Sequence, residues 1–233
     1  MIKIIRDNER YKADHGWLNS SFSFSFANYY DPDNLQFGPL RVFNDDIVQP
    51  NNGFGRHPHK EMEIVSIVLD GELEHEDSEG HTATTTFGEI QRMTAGTGIF
   101  HSETNPSKEK PVSFLQLWIQ PDTENLKPSY EKTAFSVEKL RNNLLPIVSH
   151  NALENVAHIQ QDTTLYLSDL EKENEITFTQ EQGRKIYLFV IEGQIVFNNQ
   201  YELKKRDTAR INETSTIVIN AKENSRFLLI DLP

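Results

Sequence analysis

The 233-residue chain contains no cysteine. That excludes disulfides, thiolate catalysis and Cys-ligated zinc or iron–sulfur centres together. No apolar run approaches the roughly 20 residues that span a bilayer. The opening MIKIIRDNERYKADHG turns polar within a few residues, so no signal peptide is expected. Positive charge is scarce: 23 Lys and Arg stand against 35 Asp and Glu, a formal net charge of −12 with histidine neutral. Such a balance disfavours a protein that grips nucleic acid phosphates or an anionic membrane. A cytoplasmic monomer is expected, with no membrane and no direct nucleic acid contact.

Helix signals are also scarce. One short helix is expected at 136–145, ended by Pro146. Strand signals are everywhere instead. Phe22, Phe24 and Phe26 alternate with serines in SSFSFSF, the period of a strand with one buried face. Other runs are LRVF (40–43), EIVSIVLD (63–70), VSFLQLWIQ (112–120), KIYLFVIE (185–192), STIVIN (215–220) and RFLLIDL (226–232). Turn chemistry separates them at Asp31-Pro32-Asp33-Asn34, Asn51-Asn52-Gly53, Asp70-Gly71, Ser78-Glu79-Gly80 and Asn198-Asn199. Many short strands between such turns predict an all-β sandwich or barrel.

The two halves echo one another. IVSIVLDGELEHEDSEG (64–80) and IYLFVIEGQIVFNNQ (186–200) share a layout of apolar strand, acidic residue plus glycine, and return strand. Gly71 and Gly193 fall in register 122 residues apart, and a hairpin turn there calls for glycine at positive φ. Downstream, GEIQRM (88–93) resembles RDTARI (206–211) in the same order, which predicts a duplication. Residues 121–133, with two prolines and several charges, read as the connector.

The chemistry concentrates in two places. In GFGRHPHKEMEIVSIVLDG (53–71), His57 and His59 are two apart, so an extended chain projects both rings from one face. In MTAGTGIFHSETN (93–105), His101 and Glu103 repeat that spacing after Gly96 and Gly98. Neutral imidazoles with a carboxylate are ligands for a transition metal. A lone His-x-His is more often surface chemistry; two such pairs beside glycine-rich turns point to a metal. Phe22, Phe24, Phe26 and Trp118 read as core aromatics. His15, His81, His150 and His158 read as solvated. His75 shares the inward parity of Leu73, but has no evident partner and is read as structural.

HPHKEMEIVSIVLDGELEHEDS together with GEIQRMTAGTGIFHSETNPS resembles the metal-binding stretch of the pirin family, within the cupin superfamily. HGWLNSSFSFSFANYYDPDNLQFGPLRVFNDD resembles that family's N-terminal opening, close to the bacterial pirin-like quercetin 2,3-dioxygenases. The likeness is specific over residues 1–121 and weak beyond. It implies a bicupin, two antiparallel double-stranded β-helix (jelly-roll) barrels packed face to face. Residues 1–121 would form the metal-binding barrel and residues 122–233 a degenerate barrel without a metal site. Residue by residue, His57, His59, His101 and Glu103 match the family's ligands. Arg92 stands where the family often has an aromatic residue. The general cupin pattern HxHxxxE offers Glu63 as a competing carboxylate, sharing strand parity with His57 and His59; the pirin resemblance favours Glu103.

In the second repeat the 122-residue offset sets His57 and His59 opposite Thr179 and Glu181, and His101 and Glu103 near Glu223 and Ser225. No histidine follows His158, so one metal per chain is expected, with the second barrel structural and closing one side of the pocket. The resemblance implies a dioxygenase that cleaves the heterocycle of a small planar flavonol-like substrate with O2 and loss of carbon monoxide. Glu103 would be its catalytic base. The cofactor would be one divalent transition metal, with Fe(II) favoured and Cu, Ni, Co, Mn or Zn admitted by the ligand set. The alternative is a non-enzymatic metal- or redox-sensing regulator that binds transcription or metabolic proteins.

Overall fold

The computed structural model describes residues 1–233, and strands dominate it. Its helices are two short 3-10 turns, Asp7–Glu9 and Val137–Leu140. The helix expected at 136–145 is thus cut to one turn. Asn142 adopts φ +50°, and the chain leaves as the strand Leu145–Ser149. Pro146 lies inside that strand beside a register shift, where its missing N–H is tolerated. No helix is long and apolar enough to cross a membrane.

The chain forms two compact units, and they do not follow a single cut after residue 121. The N-terminal unit holds Tyr11–Phe135 and His150–Gln161; the C-terminal unit holds Met1–Arg10, Ser136–Ser149 and Asp162–Pro233. The opening strand Ile2–Ile5 pairs with Thr208–Asn212 of the C-terminal unit. The expected connector ends in a strand, Ser129–Ala134, paired with Glu89–Thr94 of the N-terminal unit. Strand pairing, rather than chain order, decides where each segment belongs.

The N-terminal unit is a pair of antiparallel sheets. One runs Ser129–Ala134, Glu89–Thr94, Glu63–Asp70, Val112–Ile119, Leu40–Val48, Leu18–Phe22, Tyr11–Asp14. The other runs Gly53–His59, Ile99–Thr104, Leu73–Asp77, Thr82–Thr85. In the C-terminal unit the same plan returns. One sheet includes, in order, Ile2–Ile5, Thr208–Asn212, Lys185–Glu192, Ser225–Leu232, Thr164–Leu170 and Leu145–Ser149. The other runs Glu175–Thr179, Thr216–Ala221, Gln194–Phe197, Tyr201–Lys204. This is the duplicated jelly-roll architecture of a bicupin.

The echoing glycines do not close hairpins. Each carries the chain from one sheet of its unit to the other, at φ +84° for Gly71 and +83° for Gly193. A Cβ on Gly71 would lie 2.8 Å from the Pro111 carbonyl oxygen, and one on Gly193 2.5 Å from that of Asn224. Backbone crowding and positive φ both demand glycine. Sheet order pairs Ile99–Thr104 with Thr216–Ala221, several residues before positions 223 and 225, because the intervening turns differ in length.

Apolar strand faces fill each interior. Phe114, Leu73, Val112 and Val48 pack together in the N-terminal unit, and Leu188, Phe197, Ile219 and Phe227 in the other. The SSFSFSF strand stops at Phe22. Phe24 is buried beyond it and Phe26 closes a small bridge with Tyr29.

Candidate metal centre

His57 and His59 end the strand Gly53–His59, and His101 and Glu103 sit on Ile99–Thr104 beside it. Antiparallel register sets His101 opposite His57 and Ile99 opposite His59. The pairing slips between His101 and Glu103, so Glu103 lies opposite Phe54, a bulge that re-aims the carboxylate. The three imidazole rings stand 4.6–4.8 Å apart, centroid to centroid. His57 Nε2 and His101 Nε2 face each other at 3.1 Å. With a proton on His57 Nδ1, that atom donates to the Gly55 carbonyl at 2.7 Å and leaves Nε2 a free lone pair.

His59 Nε2 is buried without any hydrogen-bond partner. Burial, then the neighbouring His101 and His57, pull His59 down to about 3. Burial, then His57 and His75, pull His101 down to about 3. Neutral rings with converging lone pairs, one of them orphaned, are what a divalent first-row metal binds. The residues present therefore fit a metal.

Glu103 is buried and does not join the same trio. A ligand atom from each of His57, His59 and His101 lies within 4.8 Å of the others; Glu103 forms a second such group with His75 and His101. Its carboxylate is gripped from the opposite sheet. Ser66 Oγ and Gln91 Nε2 each donate to Oε1 at 2.8 Å, and Gln116 Nε2 donates to Oε2. These donors are consecutive in one row across the sheet: Phe22, Asn44, Gln116, Ser66 and Gln91 are each paired with the next. Residues paired in this way share a face. Three donors satisfy a charge that burial would otherwise penalise.

His75 is not the partnerless residue expected from sequence. Its ring is fully buried, with Nε2 3.0 Å from Asp77 Oδ2 and Nδ1 3.3 Å from His101 Nδ1. Tyr130 stacks on it at 4.4 Å. His81, expected to be solvated, is half-exposed, and its Nδ1 lies 2.9 Å from the same Asp77 carboxylate. His75 thus backs the face of His101 turned away from His57.

Glu63 lies elsewhere. The chain turns after His59, with Glu61 at φ +48°, and resumes in the other sheet at Glu63, so the shared parity is broken. The Glu63 carboxylate accepts the backbone N–H groups of Gln160 and Gln161 at 2.9 and 3.0 Å and the Thr94 hydroxyl at 3.1 Å. Burial raises its pKa and these bonds oppose the rise. It clamps a loop. Arg92 occupies the face opposite Gln91, where it pairs with Glu131 at 2.8 Å.

A cavity of about 260 Å³ reaches Asn44, the cross-strand neighbour of Gln116; it is walled by Trp17, Phe22, Phe26 and Phe54, with His15, Ser20, Asn44 and Asp46 as its polar part. Phe26 meets Trp118 edge-on at 5.3 Å, and Trp118 meets His59 at 4.7 Å. Two aromatics read as core filler therefore link this cavity to a histidine of the trio. Burial lifts Asp46 to about 7, opposed by the Ser20 hydroxyl and helped by the charges of Asp45 and Glu103. Sequence reasoning missed Ser66, Gln91, Gln116, Asn44 and Asp46. The signal for the first three was a polar residue inside an otherwise apolar strand.

The family model described as Pirin matches residues 5–119, and one described as a quercetinase C-terminal cupin domain matches residues 146–232. Quercetin 2,3-dioxygenase of Escherichia coli K12 is 40% identical over 233 residues, covering 100% of this chain and 99% of that one. The crystal structure of YhhW from E. coli superposes with a TM-score of 0.96 at 39% identity, covering 100% and 98% of the two chains. That of the bacterial pirin YhhW in complex with nickel(II) gives 0.94 at 39% identity, covering 100% and 99%.

Proposed function

The chain belongs to the pirin family, and from that premise we propose a metal-dependent dioxygenase that opens a flavonol-like enolic substrate with O2. The observation that carries this reading is the meeting of three histidine nitrogens, one of them on the His101 ring that also groups with the fixed Glu103 carboxylate, near an aromatic-walled cavity. In it the N-terminal unit holds the metal and the C-terminal unit is a degenerate copy. His57, His59, His101 and Glu103 would hold one divalent ion, Fe(II) in our assignment. When bound, that ion supplies Lewis acidity toward an ionised hydroxyl and open coordination positions. The solved nickel complex of the E. coli relative supports a divalent ion without choosing among Fe, Ni, Cu, Co, Mn and Zn.

Glu103 takes the proton of the substrate's enolic hydroxyl in this reading, with its oxygens held in place by Ser66, Gln91 and Gln116. Trp17, Phe22, Phe26 and Phe54 receive the flat rings and exclude water. The cavity favours an enzyme over a sealed metal sensor. The test is oxygen uptake and carbon monoxide release from quercetin by protein of measured metal content. Absence of both with Fe, Ni, Cu, Co and Mn in turn would overturn the reading.

A further inference from the structure

The cavity beside the metal centre has an uneven chemistry. Its walls are aromatic, yet two buried acceptors line it: Asn44, 4% exposed, and Asp46, 2% exposed. Asn44 Oδ1 has no hydrogen-bond partner. Asp46 Oδ1 accepts the Ser20 hydroxyl, the only donor placed on that carboxylate by a neighbouring strand. A buried acceptor left unpaired costs about 1–3 kcal/mol, so such atoms mark where a ligand's donors go. No lysine or arginine lines the cavity and His15 is its one basic residue, so no permanent cation is there to pair an anionic ligand group.

We infer that Asn44 and Asp46 form a specificity subsite for a phenol: a neutral aromatic ring whose one O–H hydrogen is shared, as a bifurcated donor, between these two acceptors. The inference rests on the reading that a planar aromatic substrate enters this site, and it names which end of that substrate goes here. Size agrees: a cavity of about 150 Å³ holds an unsubstituted benzene ring, and this one is larger. Placement agrees too. Asn44 is the cross-strand neighbour of Gln116, which holds Glu103, and Phe54 lies opposite Glu103 itself. A substrate with its enolic hydroxyl at Glu103 would present a second, hydroxylated ring to Asn44 and Asp46. Ethers and unsubstituted rings would leave Asn44 Oδ1 unpaired and Asp46 with the Ser20 hydroxyl alone, and bind worse.

The probes are p-cresol and 4-methylanisole, titrated by calorimetry into metal-loaded protein at about pH 8, where Asp46 is mainly ionised. Neither probe can chelate a metal. The wild type should prefer the phenol by about tenfold, the value of one good hydrogen bond to a charged acceptor. Asp46→Asn, which turns an acceptor into a donor, and Asn44→Ala should each bring that preference close to unity without changing metal content. Asn44→Ser repeats the test if the alanine variant folds poorly. Equal binding of the two probes, no binding of p-cresol, or a preference that survives both substitutions would overturn the inference. Quercetin oxygenation measured in parallel separates the two ideas. Phenol preference without any oxygenation counts against the dioxygenase alone, and oxygenation without phenol preference counts against the subsite alone.

Discussion

The Nε2 atoms of His57 and His101 face each other at 3.1 Å across an antiparallel strand pair. Two imidazole lone pairs in that position repel; the N–H of a neutral tautomer can sit between them, but a cation is bound by both nitrogens at once. A metal resolves the conflict. His101→Ala should therefore cost the metal, because the trio loses the ring placed between His57 and His75. The barrel should persist, since its core lies in apolar faces elsewhere. Elemental analysis of purified protein checks both this and the expected single ion per chain; full metal in His101→Ala or two tight ions would refute the assignment.

Metal binding should also raise the unfolding temperature. An ion that binds only the folded state stabilises it by about 2.7 kcal/mol at 100 times its dissociation constant. Stripping with a chelator should lower Tm by several degrees, and re-addition should restore it. His101→Ala should show neither change by calorimetry.

Glu103→Gln separates holding from proton transfer. Three histidines stay, so much of the metal should be retained. An amide cannot take the substrate proton, so oxygen-dependent turnover should fall by about 10²–10⁴-fold at matched metal content. Raising the pH should recover part of it, because the substrate then ionises unaided. Glu63→Gln should leave turnover close to wild type while lowering stability, since its carboxylate clamps the backbone at Gln160 and Gln161. Gln116→Leu should remove one support of Glu103 and reduce turnover more than metal content.

The fold was legible because alternation and turn residues are local signals. Gly71 and Gly193 marked equivalent corners correctly, but sequence could not show that each corner joins two sheets rather than two hairpin strands. The histidine trio was legible because i, i+2 spacing on a strand fixes a shared face. Glu63 misled for the same reason: parity counted through 60–62 assumes an unbroken strand, and Glu61 at positive φ breaks it. Ser66, Gln91 and Gln116 were visible as polar interruptions, but their convergence on Glu103 depends on cross-strand register, which one sequence does not reveal. His75 lacked a partner in the sequence because its contact with His101 comes from a neighbouring strand.

Asp46 should make stability depend on pH in a recognisable direction. Its carboxyl is raised to about 7 in the folded chain from an ordinary 3.8, first by burial. The groups acting on it are the Ser20 hydroxyl, which opposes the rise, and the charges of Asp45 and Glu103, which add to it. A folded state that holds the proton more tightly than the unfolded one is favoured at low pH. That contribution is present in full below about 4 and is lost as pH rises toward 7. Asp46→Asn removes the titration while keeping the shape. Compared with wild type, both freed of metal, the variant should gain on the order of 1–4 kcal/mol at about pH 8 and little at about pH 4. Metal bound near Glu103 would offset that negative charge, so loading should lessen the gain. Urea unfolding at several pH values measures it, and a pH-independent difference between the two proteins would mean that Asp46 does not titrate in this window.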